Sequence, residues 1–318
     1  MSGRSVRLAL AACVSAGLLW VLLQQLDFTR LIDILGSASW PWLFAAILAL
    51  ACGYALRIRR WQMLLRAQNP QLRWIHCAGP LLAGFATNNV LPFRAGDALR
   101  CVAFRSSLGV SEGAAAASLL LERLLDALAL LAALGIALAS FELASHRFFT
   151  LGGAALGILA ALLMLMIAVP RVLGPVLHAV AAILAFFFPA FGARLKAEAL
   201  RAMELLESSA KGQRLLALLG LSALAWCAEG AVFYCVARSL SALEAPRFAW
   251  LALPVATLAT LLPGTPGHLG TFDFFAAEAM QAGGNAALAA AAFALLVHFV
   301  LWLPVTCAGG LWLWRRHR

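Results

Sequence analysis

The sequence predicts an all-α protein, a polytopic bundle of transmembrane helices with broken or re-entrant segments, and three observations predict it. Of 318 residues, 64% are apolar and 12% charged, with mean hydropathy +0.91, whereas an average soluble domain carries about 25% charged residues. Apolar runs recur at 8–26, 41–56, 114–140, 148–169, 215–237 and 286–314, each long enough to cross roughly 30 Å as a helix. Three other apolar stretches hold glycine, proline or polar residues where a plain span would not. In lipid such irregular backbone must face protein or water.

The run at 8–26 is expected to remain as a first span, because apolar segments continue after it and no small-residue cleavage site follows Leu26. Charge placement orients the rest. The chain carries 24 Lys and Arg against 14 Asp and Glu, a formal charge of +10. Arg57, Arg59, Arg60, Arg66 and Arg73 follow the second run, and Arg315, Arg316 and Arg318 lie near the end of the sequence. The positive-inside rule assigns both groups, with Arg4 and Arg7, to the cytoplasm. The loop from Asp27 to Trp40 then falls outside.

The segment Arg194 to Arg214 mixes basic and acidic residues and reads as a cytoplasmic amphipathic helix. The stretch Val172 to Phe191, bounded by Pro170 and Pro189, is therefore expected not to cross. Six spans result, with both termini cytoplasmic, and eight spans are the main alternative. Residues 1–318 read as a single integral membrane domain of a bacterial-type inner membrane, with no soluble catalytic domain.

Seven cysteines are scattered through apolar sequence without a CxxC or CxxxxH cluster, so they read as small buried side chains and not as metal ligands or disulfides. No metal and no cofactor is expected. The arginines at helix ends are topology signals drawn to anionic lipid, which argues against nucleic acid as a partner.

Two broken stretches carry most of the information. The first, 74–92, ends in Phe85-Ala-Thr-Asn-Asn-Val-Leu-Pro92, and the second, 250–280, holds Pro263-Gly-Thr-Pro-Gly-His-Leu-Gly270. Laying Pro92 on Pro263 aligns short similar segments, each followed by Gly and then by Asp97 or Asp273. Pseudo-repeats at about 1–140 and 192–318, of opposite topology, would bring the two breaks to a central site, as in many transporters. Chance similarity is the competing explanation.

Candidate site residues follow from these breaks. Asn88, Asn89, Arg94, Asp97 and Arg100 surround the turn made by Pro92 and Gly96, where the guanidinium forks suit phosphate and Asp97 can orient one of them. A loop in which Asp and Arg simply pair is the alternative. Glu122, Arg123 and Asp126 lie in or beside an apolar run, with the two acids one helical turn apart. Ionisable groups there face a bundle interior or a cavity and often mark a substrate path, although Arg123 closing ion pairs with Asp97 or Glu122 would also account for them. Pro263, Gly264, Pro266, Gly267 and Gly270 cannot form regular helix together, and they place His268 within the break and Asp273 just after it as further site candidates. A helix starting near Thr271 would present its N-terminus to an anionic headgroup. Glu229 and His298 each stand alone in apolar sequence and are candidates for proton coupling.

Four of these motifs, in order, resemble a known family. They are Arg60-Trp61 followed by Leu64-Leu65, the turn from Asn89 to Asp97 with Arg100, Glu122-Arg123 with Asp126, and Pro263-x-x-Pro266-Gly267-x-Leu269-Gly270-x-x-Asp273. Over nearly the whole chain the sequence is similar to the transmembrane region of lysylphosphatidylglycerol synthetases, the flippase-like membrane family. His268 stands where that family commonly has glycine, and Asp273 where it commonly has glutamate. The resemblance implies a stand-alone lipid translocator whose cargo is an anionic phospholipid, a hopanoid or a polyprenyl-linked lipid. A membrane-embedded lipid transferase with Asp97 or Asp126 as base, or a non-catalytic subunit of an envelope-lipid pathway, are the alternatives. Membrane lipid, envelope-lipid biosynthesis proteins and further copies of the chain are the expected partners.

Overall fold

The computed structural model describes residues 17, 18, 20, 27–92, 94–141, 147–187, 192–262 and 265–316. Most of the apolar run at 8–26, together with Phe93, Pro263 and Gly264, lies outside them. Among the described residues every regular element is a helix, and the helices form one bundle.

Local chemistry sets the helix boundaries. Helix α1 (Phe28–Gly36) starts where the Asp27 carboxylate accepts the backbone N–H groups of Thr29 and Arg30 at 3.0 and 3.2 Å. Helix α2 (Trp40–Leu65) has Pro41 in its first turn, where the missing N–H costs nothing. Its outer face shows Trp40, Phe44 and Leu48 at four-residue spacing, an apolar stripe suited to lipid. Helix α3 (Trp74–Val90) stops because Leu91 precedes Pro92 and is held extended, at φ −103° and ψ 145°. The short α4 (Ala95–Val102) and α5 (Arg105–Leu108) lead to α6 (Glu112–Ser140), capped by the Ser111 hydroxyl, which accepts from Ala114 N–H at 3.2 Å.

Helix α7 (Arg147–Ala168) ends at Pro170, and the chain bends there by 95° into a single tight turn and α8 (Gly174–Phe187). Helix α9 (Gly192–Ser209) follows, the segment read as amphipathic. It lies against α6, with Glu198 accepting the Gly113 N–H at 2.6 Å and Arg194 paired to Glu112 at 2.7 Å. The remaining helices are α10 (Gly212–Ser239), α11 (Ala249–Ala259), α12 (Thr271–Gln281) and α13 (Ala287–Arg316).

Three helices, α2, α10 and α13, are long and apolar enough to cross a membrane, and the bent α7–α8 pair makes a fourth if it is counted as one span. Helix α6 matches them in length, with 29 residues, but carries Glu122, Arg123 and Asp126 on its way through. Small residues let these helices approach closely. On α13, a Cβ added to Gly309 would stand 2.3 Å from the Leu82 carbonyl oxygen of α3. On α3, one added to Gly79 would stand 2.1 Å from the Trp312 ring of α13. The largest apolar core joins α10, α11, α12 and α13 around Phe233, Phe272, Phe293 and Met280.

Two expectations need correction. Cys52, Cys227 and Cys307 face outward, and only Cys77 is buried among the described cysteines, all of which are free. Outward thiols meet lipid, which a small apolar side chain tolerates as well as a core. Arg57 and Arg60 are not in a cytoplasmic loop beyond the second helix. Helix α2 continues to Leu65 and buries both, at 6% and 2% exposure.

Candidate functional site

The site is assembled where the two broken stretches come together. The first break folds back on itself because two glycines allow it. A Cβ on Gly96 would come within 1.8 Å of the Gly84 carbonyl oxygen, and a Cβ on Gly84 would strike the Arg100 stem at 2.6 Å. Asn88 pins the turn, accepting the Gly96 N–H at 2.8 Å and donating to Asp97 at 3.1 Å. Arg94 reaches α4 through a left-handed backbone conformation, φ 52°. The second break has Gly267 at φ 69°, His268 at φ 59° and Gly270 at φ 88°, three positive values in four residues. No helix continues through such a stretch.

Asn89 and Gly267 mark the contact between the breaks. A Cβ on Gly267 would lie 3.2 Å from the Asn89 carbonyl oxygen and 3.1 Å from Trp302 Nε1. Trp302 Nε1 itself donates to that carbonyl at 3.3 Å, and the Asn89 amide donates to Thr306 Oγ1 at 2.9 Å. A cleft of about 140 Å³ opens here, with Asn89, Glu229, His268 and His298 supplying its polar groups and Tyr54 and Trp302 its aromatic walls.

Behind the cleft lies a ladder of arginine–carboxylate pairs. Arg57 donates to Glu229, and Arg60 donates to Asp126 at 2.6 Å and to Ser222 Oγ at 2.9 Å. Asp126 also accepts from Trp226 Nε1 at 3.1 Å. Arg100 pairs with Glu122 at 2.9 Å and lies over the Trp61 ring at 4.2 Å. Each cation is desolvated and therefore needs its anion, since an unpaired charge at this depth is strongly disfavoured. Helix periodicity brings the rungs together. Arg57 and Arg60 sit one turn apart on α2, as do Glu122 and Asp126 on α6 and Ser222, Trp226 and Glu229 along α10.

Nearer the surface, Arg123 holds both oxygens of Asp97 at 2.9 Å with its side chain still 35% exposed. Arg94 is exposed and, among the described residues, makes no ion pair within 4 Å. Its partial burial and the neighbouring Arg123 cation both lower its hold on its proton, and Asp97 opposes them. Arg94 is also in electrostatic range of His268 across the two breaks. Two guanidinium groups therefore share one carboxylate, leaving one positive charge over.

The structure redistributes the residues expected from sequence. Asn89, Gly267, His268, Glu229 and His298 meet at the cleft, and Asp97, Arg123 and Arg94 gather beside the first break. Arg100 and Glu122 are nearly inaccessible, and each is closed by the other. Asp126 is consumed by Arg60. The N-terminus of α12 is filled by its own acid, since Asp273 accepts the Gly270 N–H at 2.8 Å and is fully buried. Glu229 and His298 are not alone, being paired to Arg57 and Asp273. Pro263 lies outside the described residues.

Sequence reasoning missed Tyr54, Thr260 and Trp302 as cleft residues, and Arg57 and Arg60 as rungs of the ladder. A signal existed for one helix. His298, Trp302 and Thr306 recur every four residues on α13, a polar stripe in apolar sequence. Among the described residues, no group of three His, Cys, Asp or Glu is placed to hold a metal ion.

Comparison with known proteins adds the family. No match is found among curated proteins. The model of the lysylphosphatidylglycerol synthase TM region matches residues 6–309, and it contains both breaks, the ladder and the cleft. The chain is an integral membrane protein belonging to the lysylphosphatidylglycerol synthase transmembrane-region family.

Proposed function

We propose that this protein is a flippase-like translocator that moves an anionic lipid across a bacterial-type cytoplasmic membrane and is not itself an enzyme. The observation that carries this reading is the meeting of the two broken stretches at Asn89 and Gly267, beside a polar cleft inside an apolar bundle. Discontinuous helices that meet in this way build substrate sites in many transporters, where their rearrangement exposes the site to each side in turn. The charge fits the cargo. Arg94 and Arg123 against Asp97 leave a net cation beside the first break, suited to a phosphate-bearing headgroup. A phospholipid or a polyprenyl phosphate satisfies that chemistry. The arginines that flank the apolar runs support a cytoplasmic location for both termini.

The test is transport by purified protein in vesicles carrying a fluorescent phosphatidylglycerol, with exposure of the label read by a membrane-impermeant quencher. Protein-dependent movement that falls severalfold in Arg94→Ala and Arg123→Ala is expected. Vesicles with protein that move no lipid faster than empty ones would reject translocation, and chemical conversion of the lipid, seen by mass spectrometry, would favour a transferase.

A further inference from the structure

His298 and Asp273 hold more hydrogen-bonding positions than a neutral histidine beside a carboxylate can fill. His298 Nε2 lies 3.0 Å from the Gly267 carbonyl oxygen, which can only accept, so this nitrogen carries a hydrogen. His298 Nδ1 lies 2.7 Å from Asp273 Oδ1, and the other oxygen, Oδ2, already accepts the Gly270 N–H. A neutral imidazole has one N–H, spent on Gly267, and an ionised carboxylate has none to give. The Nδ1–Oδ1 contact therefore needs one further hydrogen.

We propose that Asp273 and His298 form a proton-binding site in the wall of the cleft, and that the bound proton latches the second break shut. The proton lies on the ring, giving an imidazolium facing a carboxylate, or on the carboxyl, giving a neutral acid facing a neutral ring. Both forms are neutral as a pair, which suits side chains exposed by only 11% and 1%. With the proton bound, His298 ties the Gly267 carbonyl of the break to α13 while Asp273 ties Gly270 to α12. When the proton leaves, a buried negative charge remains and the single ring hydrogen must choose between the Gly267 carbonyl and the Asp273 carboxylate. The charged carboxylate is the stronger acceptor and draws that hydrogen to Nδ1, so the break loses its Gly267 tether beside the Asn89 contact.

The other carboxylate that faces the cleft is already neutralised. Across the cleft, Glu229 of α10 is neutralised by Arg57 of α2, with the Tyr54 ring beside that guanidinium. His268 faces from the break with Arg94 beyond it, the Phe272 ring packs 4.9 Å from His298, and Trp302 and Thr306 extend the same face of α13.

The proposal separates from lipid transport in its first measurement and rests on the translocator reading only in its second. The first is NMR of isotope-labelled histidine in nanodiscs at neutral pH, with His298→Gln to assign the signal, and infrared spectra of the same sample. An imidazolium, or a ring protonated on Nε2 with a protonated carboxyl band that disappears in Asp273→Asn, is expected. A neutral ring beside an ionised carboxylate overturns the site. The second measurement is movement of labelled phosphatidylglycerol under an imposed pH gradient. The natural protein's rate should change by up to about tenfold per pH unit, the limit for one bound proton. The rate of Asp273→Asn, whose carboxamide keeps both hydrogen bonds without a titratable proton, should not follow the gradient. A natural protein indifferent to the gradient, or an Asp273→Asn protein that still follows it, overturns the coupling. A natural protein that moves no lipid rejects the translocator, while the spectra still decide the proton.

Discussion

Gly84 and Gly96 are in backbone contact, so close that a single methyl group on Gly96 would stand 1.8 Å from the Gly84 carbonyl oxygen. The obstacle is main chain and cannot rotate away. Gly96→Ala should therefore cost about 3 kcal/mol or more. In thermal unfolding in detergent, the variant should melt well below Gly220→Ala, a helix position with open space around it.

The Arg60–Asp126 pair makes a second prediction. Removing one partner of a buried ion pair leaves an uncompensated charge and typically costs about 3–5 kcal/mol, whereas replacing both by apolar groups is far less harmful. Arg60→Met and Asp126→Leu should each lower the melting temperature sharply. The double variant should recover much of that loss. Equal and additive losses would show that the ladder contributes by packing alone.

Arg94 and Arg100 stand six positions apart and should behave differently. Arg100 is buried, paired to Glu122 and stacked over Trp61, so Arg100→Ala should destabilise the fold. Arg94 is exposed and has no ion pair among the described residues. Arg94→Ala should leave the melting temperature nearly unchanged and weaken binding of anionic lipid, measured by native mass spectrometry against a zwitterionic control.

At the second break, Gly267→Ala meets two penalties. The residue sits at φ 69°, and its Cβ would press on Trp302 Nε1 and the Asn89 carbonyl at 3.1 and 3.2 Å. The left-handed conformation alone costs an L-residue about 1–2 kcal/mol. Lower stability is expected together with loss of transport, because the methyl group enters the contact where the two breaks meet.

Much of the fold was legible before any coordinates. Helix α3 ends where Pro92 dictates, the chain turns at Pro170, and the segment from Thr265 to Gly270 breaks the α11–α12 stretch. These are local events, set by a missing N–H or a glycine's freedom at positive φ. The candidate site was legible only as an inventory. Glu122, Arg123, Asp126, Glu229, Asp273 and His298 stand out because charge is rare in apolar sequence, yet nothing in their spacing names their partners.

The sequence by itself determined that this is a helical membrane bundle, where its helices break, and which polar residues its interior must accommodate. Hydropathy and backbone constraints act over a few residues, so they can be read along the chain. Only the tertiary structure decided that Arg57 neutralises Glu229 across 172 positions and Asn89 meets Thr306 across 217. It likewise decided that Arg57 and Arg60 face the bundle interior and that Asp273 fills its own helix terminus and holds His298. The cost of an unpaired charge away from water forces a pairing. Which acid meets which arginine depends on the faces along which the helices pack, and that is a property of the assembled bundle.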